Sequence, residues 1–304
     1  MKVLLDTDIG SDIDDAICLS YLLAHPGCDL LGITTVTGQA LKRCQLASAI
    51  CKAFGREVPI YPGVERPLII DPQQPKAQQA QMLPELDYDK AFVQNHALVF
   101  LQDTIRRYPN EIVLLAIGPL TNIALLFAMD PELPSLLKGL VMMCGVFTGE
   151  QQQETPLEWN AKLDPHATAI VYGQKMDMHR SIGLDVTMQV RMDIADFCRF
   201  FKDPRLGPVD KMLDVWARES RVITFHDPLA AATLFMPDLC TFKQGTVSVD
   251  LQAGETLGKT SWQPGTDWHQ IAVNVNSALF FDHFFRFFKK GDDDIGSEYE
   301  TKKQ

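Results

Sequence analysis

An α/β fold with a mostly parallel sheet flanked by helices is predicted by three features of this 304-residue sequence. Short aliphatic and β-branched runs alternate with stretches of helical periodicity, which argues for successive right-handed βαβ units. The composition, 46% hydrophobic and 22% charged, is that of a globular protein and excludes disordered and collagen-like chains. A dense group of carboxylates follows the first apolar run, and open parallel sheets place their ligand crevice outside the carboxyl ends of their strands. α/β chains of this length commonly enclose one large core. Residues 1–290 are therefore read as a single domain and 291–304 as a charged, flexible C-terminal tail.

The elements follow in order. Val3-Leu4-Leu5 reads as a short strand, and Asp14 to His25, with apolar residues at helical spacing, as the helix after it. Leu30 to Val36 is a β-branched run, Ala40 to Phe54 a second helix, and Ile60 part of a third strand that stops at Pro62-Gly63. Glu111 to Ile117 and Leu140 to Cys144 read as further strands, with Thr121 to Met129 helical between them. Two segments interrupt the alternation: Asp71 to Gln81, with two prolines and five glutamines, and Gly149 to Pro156, with three consecutive glutamines. Both are expected to be surface loops, either lids beside the crevice or plain solvated connections. From Asp185 the pattern is helical through Arg221, then strand-like over Thr246 to Asp250 and Ile271 to Val275. The six phenylalanines of Ser277 to Phe288 form a stripe suited to core packing.

Charge and cysteine usage narrow the function. Twenty-eight Lys and Arg against thirty-nine Asp and Glu leave a net charge of −11. That balance opposes binding to nucleic acid or to an anionic membrane and favours a neutral or cationic small molecule. The seven cysteines are odd in number, form no CxxC pair and sit mostly in apolar runs, so they are expected to be reduced and structural. No signal-like or membrane-spanning run stands out, and a cytoplasmic location is expected.

The chemistry concentrates in DTDIGSDIDDA, which places Asp6, Asp8, Asp12, Asp14 and Asp15 within ten residues. Carboxylates that close repel one another unless a cation neutralises them, and all-oxygen ligation suits a hard ion such as Ca²⁺ or Mg²⁺. The alternative is a solvated acidic loop with Asp14 or Asp15 capping the following helix. An EF-hand is excluded, because its fifth and twelfth positions would fall on Gly10 and Ile17. Asp6-Thr7-Asp8 also resembles the opening of a haloacid-dehalogenase-type phosphatase, but Gly10 departs from that motif. Three further groups lie elsewhere: Gly118 to Asn122 after a strand, Glu158-Trp159-Asn160 before Asp164-Pro165, and His226-Asp227-Pro228 before an apolar helix. Each could be a plain turn or helix start. Glu158 and Asn160, two apart in an extended segment, would face the same way.

Taken in order, DTDIGSDIDDA, LLGITTVTG, AIGPLTNIA, LEWNAKLDPHA, GLDVT and FHDPLAAA resemble the nucleoside hydrolase family, often called inosine-uridine-preferring nucleoside hydrolases. The resemblance implies a central mixed, mostly parallel sheet with a Rossmann-like core and a Ca²⁺ ion at the bottom of the pocket. It assigns the ion to Asp8, Asp15, Asp227 and the carbonyl of Ile117. Asp8 would also be the general base and His226 the proton donor to the leaving group. Asp14, Glu158 and Asn160 would hold ribose hydroxyls. The implied activity is hydrolysis of ribonucleosides to ribose and free nucleobase, or of a related N-riboside; a nucleoside-binding protein without turnover is the alternative. A dimer or tetramer is also implied. The sequence departs from the family in four places. Ser11 and Asp12 lie in a two-residue insertion, and Asp12 inherits no role. Gln39 and Gln152 stand where many members carry ribose-contacting asparagines. The segment Asp71 to Gln81 lacks a His-Gly pair found near the nucleobase in many members.

Overall fold

The computed structural model describes residues 1–288, with Glu150 described in its backbone alone; the tail expected at 291–304 lies outside the described residues. The first half is the expected alternation: β1 (Lys2–Thr7), α1 (Asp14–Ala24), β2 (Asp29–Thr35), α2 (Ala40–Ala53) and β3 (Ile60–Pro62). Then come α3 (Ala97–Arg107), β4 (Ile112–Ala116), α4 (Thr121–Met129), α5 (Leu133–Leu136) and β5 (Gly139–Met142). Three short helices follow, α6 (Gly149–Glu154), α7 (Trp159–Leu163) and α8 (Pro165–Tyr172), before β6 (His179–Ser181) and α9 (Leu184–Thr187). The remainder comprises β7 (Arg191–Asp193), α10 (Ile194–Phe200), α11 (Gly207–Trp216), β8 (Val222–Thr224) and α12 (His226–Ala232). It closes with β9 (Cys240–Val249), β10 (Thr260–Pro264), β11 (His269–Val275) and α13 (Ser277–Phe285).

Nine strands make one sheet in the order β10-β9-β11-β6-β5-β4-β1-β2-β3, and β7 and β8 form a separate antiparallel pair. Pairing is parallel from β3 across to β11 and antiparallel only where β9 joins β11 and β10, so the sheet is mixed and mostly parallel. The central strands are apolar on both faces because helices cover both. Val3 and Leu5 of β1 pack into one core with Val113 and Leu115 of β4, whereas Leu4 packs into the opposite core with Ile112 and Leu114. Chain order reverses at β1, which pairs with β2 on one side and β4 on the other. That switch point opens a crevice at the carboxyl ends of β1 and β4, where the acidic loop and Ile117 emerge.

Several expectations give way to tertiary structure. The region from Asp185 to Arg221 is not one continuous helical stretch. Pro204 and Pro208 interrupt it, and Arg191–Asp193 pairs with Val222–Thr224, a long-range contact that local periodicity cannot reveal. Gly149–Glu154 forms a short helix rather than a loop, and Gln78–Glu85 a 3₁₀ turn. Helix α3 and the strands β6 and β10 had no expected counterpart. The aromatic stripe packs as expected: Phe280, Phe281, Phe284 and Phe285 are fully buried, and each lies within ring-contact distance of Phe225 just ahead of α12. All seven cysteines are free thiols, six of them buried and Cys198 exposed. No helix among the described residues is long and apolar enough to cross a membrane.

Candidate active site

The acidic loop enters the crevice through two glycines. Gly10 adopts φ +112°, a region open to glycine and strained for other residues. A Cβ on Gly118, in the turn after β4, would lie 2.9 Å from the Asp8 nitrogen and carboxylate, so only glycine lets the two strand ends close. Beneath the loop, Asp6 accepts hydrogen bonds from Thr34 Oγ1 (2.5 Å) and Asn122 Nδ2 (2.7 Å), fastening β1 to β2 and α4. Burial pushes its carboxyl up to about 7.

Beyond this anchor, Asp14 and Asp15 occupy the first turn of α1 and Asp227 the first turn of α12, and the two helices pack together. One carboxylate oxygen from each of the three lies within 4.8 Å of the others. Thr7 Oγ1 donates to Asp15 Oδ1 (2.5 Å), and the Asp227 backbone N–H donates to Asp14 Oδ2 (3.1 Å). All three side chains are buried, and burial followed by repulsion from neighbouring carboxylates, Asp8 and Asp12 among them, drives their carboxyls well above the ordinary range. Asp8 faces the same cavity outside this trio; burial raises its carboxyl, while the Arg43 guanidinium opposes the shift. Arg43 is itself fully buried and donates to the carbonyls of Asp8, Ile9, Gly38 and Lys76 and to Ser11 Oγ. One guanidinium does not balance four buried carboxylates. An all-oxygen set short of positive charge fits a hard divalent cation.

The cavity has a volume of about 490 Å³, within the range that holds a small ligand. Its floor is Asp8, Asp14, Asp15, Asp227 and Ile117, and its wall Glu158 and Asn160; Leu184, Met188, Val215 and Trp216 add apolar surface. Asp12 also lines it, as does exposed Glu219, and among the described residues no Lys or Arg does. Glu158 caps α7, its carboxylate accepting from the backbone N–H groups of Asn160 (2.8 Å), Ala161 (2.9 Å) and Gly145 (3.1 Å). Asn160 Nδ2 donates to the carbonyls of Ile117 (2.9 Å) and Met143 (3.0 Å). His226 is half-buried at the start of α12, its Nδ1 2.7 Å from Thr187 Oγ1. Burial, with Arg191 adding to it, lowers the imidazole to about 4, so it is neutral at pH 7.

Eight of the sequence-predicted site residues therefore meet in one cavity: Asp8, Asp14, Asp15, Ile117, Glu158, Asn160, His226 and Asp227. Gln39 and Gln152 do not line it. Gln39, at φ +64°, accepts from the Ala77 N–H (3.0 Å), and Gln152 Nε2 donates to the carbonyls of Val146 (3.2 Å) and Thr260 (3.1 Å). Sequence reasoning missed Gln74, from the proline- and glutamine-rich segment. Its Nε2 donates to Asp8 Oδ2 (2.5 Å) while its Oε1 accepts from Trp159 Nε1 (2.7 Å), tying the segment across the cavity. It also missed Arg43, whose one available signal was a cation set among the apolar residues of α2.

The family described as inosine-uridine preferring nucleoside hydrolase matches residues 3–282. A protein named non-specific ribonucleoside hydrolase RihC, from Escherichia coli strain SE11, is 32% identical over 275 residues, covering 86% of this chain and 87% of its own. Uridine nucleosidase 1 of Arabidopsis thaliana is 28% identical over 300 residues, covering 88% and 85%. Among solved structures, a purine-preferring ribonucleoside hydrolase from Gardnerella vaginalis superposes with a TM-score of 0.81 at 25% identity, covering 95% of this chain and 98% of the other.

Proposed function

Since the chain belongs to the inosine-uridine preferring nucleoside hydrolase family and is a hydrolase of N-glycosyl compounds, we propose that it cleaves ribonucleosides to ribose and free base with a Ca²⁺ ion held on its acidic floor. The reading is carried by one observation: Asp14, Asp15 and Asp227 converge, buried and short of counter-charge, in a cavity shared with Asp8, Glu158 and Asn160. We assign the ion to Asp8, Asp15, Asp227 and the Ile117 carbonyl. When bound, such an ion offsets the carboxylate charge and lowers the pKa of water. Asp8 takes a proton from the attacking water, its second oxygen held by Gln74. Asp14, Glu158 and Asn160 accept or exchange hydrogen bonds with ribose hydroxyls, which places the anomeric carbon against the floor. Positive charge that develops on the sugar as the N-ribosidic bond breaks is stabilised by the surrounding carboxylates. The neutral imidazole of His226 donates an N–H hydrogen bond that relieves charge on the departing base, which lies against the apolar part of the cavity formed by Leu184, Met188, Val215 and Trp216.

Among the described residues no Lys or Arg lines the cavity to pair with a phosphate, which favours nucleosides over nucleotides and counts against the phosphatase reading. The test is a panel of purine and pyrimidine ribonucleosides and their 5′-monophosphates, followed by reducing-sugar and phosphate release. Sugar release from the nucleosides without phosphate release from the monophosphates is expected. Phosphate release, or no sugar from any nucleoside, would contradict the proposal.

A further inference from the structure

A buried polar chain reaches Glu158 from behind the cavity. Tyr172, on α8, is 5% exposed, and Ser181 on β6 and His269 on β11 are buried with it. Tyr172 Oη donates to the Cys144 carbonyl at 3.3 Å, and the N–H of the same peptide unit, that of Gly145, donates to Glu158 Oε2 at 3.1 Å. Behind the tyrosine, Ser181 Oγ lies 2.8 Å from Tyr172 Oη and 3.1 Å from His269 Nε2.

The direction of every bond follows from its neighbours. Because the single Tyr172 proton goes to the Cys144 carbonyl, Ser181 must donate to Tyr172, and Ser181 must then accept from an Nε2–H on His269. Burial drives the Tyr172 phenol well above its ordinary pKa and the His269 imidazole well below, so the phenol keeps its proton and the ring is neutral. The donors thus run head to tail from His269 through Ser181, Tyr172 and the Cys144–Gly145 peptide to the carboxylate, an arrangement in which each bond polarises the next. At its end Glu158 Oε2 is taken by two N–H groups, those of Gly145 and Ala161, and Oε1 by that of Asn160, while the Cys144 thiol also hydrogen-bonds the carboxylate.

We propose that Tyr172, which does not line the cavity, is a positioning residue that acts through the Cys144–Gly145 peptide to hold Glu158 in the orientation that receives a ribose hydroxyl, with Ser181 and His269 behind it. The inference rests on the reading of Glu158 as a sugar-binding residue, and the experiment separates the two. Wild type, Tyr172→Phe, Ser181→Ala and Glu158→Gln are compared on one ribonucleoside and its 2′-, 3′- and 5′-deoxy analogues, by kcat/KM or, where turnover is slow, by inhibition constant. Glu158→Gln is expected to lose most on substrates that carry the hydroxyl it holds and little on the analogue lacking it. Tyr172→Phe should lose roughly five- to tenfold on the parent substrate, as for removal of one buried hydrogen bond. That loss should vanish on the same analogue. Ser181→Ala should repeat the pattern more weakly, and it stands in if Tyr172→Phe does not fold. An equal loss on all four substrates, or none, in the outer variants while Glu158→Gln remains selective would overturn the role of Tyr172. A Glu158→Gln variant without selectivity would instead remove the reading of Glu158, and the inference with it.

Discussion

At the scale of single residues, Asp8 is assigned both the proton of the attacking water and a share of the cation, with Asp15, Asp227 and the Ile117 carbonyl. Asp8→Ala should lower kcat by at least about 10²-fold, the usual contribution of a general base, with a larger loss because the same carboxylate is assigned to the ion. Steady-state sugar release checks this, and near-wild-type turnover would remove Asp8 from both roles. Gln74→Ala frees the Asp8 carboxylate and the Trp159 indole together, and should reduce kcat more than it raises KM. Asp8, Asp14 and Asp15 were legible because carboxylates at this density demand an explanation, and Asp227 because it sits beside a histidine at a helix start. Gln39 and Gln152 were assigned by position in a family pattern, yet in the fold each side chain is committed to backbone groups outside the cavity. Gln74 had no signal: a glutamine in a glutamine-rich segment looks like any other until the chain folds back over Asp8.

At the scale of elements, α2 and α13 carry different kinds of support. Arg43 projects from α2 to bind the acidic loop, the turn before α2 and the segment after Pro75. Arg43→Met should cost about 3 kcal/mol or more in urea unfolding, because several buried carbonyls lose their donor. Phe284, on α13, is fully buried among Tyr21, Phe225 and Phe280, and Phe284→Ala should cost about 3–5 kcal/mol by the same measurement. The early β and α elements could be read from the chain because each central strand is an apolar run and each following helix keeps its period. The region from Asp185 to Arg221 could not: the short strand Arg191–Asp193 exists only through pairing with Val222–Thr224. β10 likewise depends on its antiparallel partner β9.

At the scale of the whole molecule, the mixed sheet sets the crevice, and buried titrating groups set the response to pH. His179 is fully buried on β6 with its imidazole lowered from 6.5 to about 3. Keeping it neutral contributes stability that is complete above pH 6.5 and is lost progressively as pH falls toward 3, since the unfolded chain takes up the proton first. His179→Phe should therefore narrow or reverse its Tm deficit relative to wild type between pH 7 and pH 4. A deficit constant with pH would contradict the assignment. In the proposed reaction the acidic floor holds a Ca²⁺ ion that N-ribosidic cleavage requires. The most direct measurement is ribose release from a ribonucleoside by chelator-stripped protein as Ca²⁺ is returned. Stripping should abolish release, Ca²⁺ should restore it saturably, and Asp227→Ala should not be rescued at the same concentrations. Undiminished release from the stripped protein would contradict that requirement.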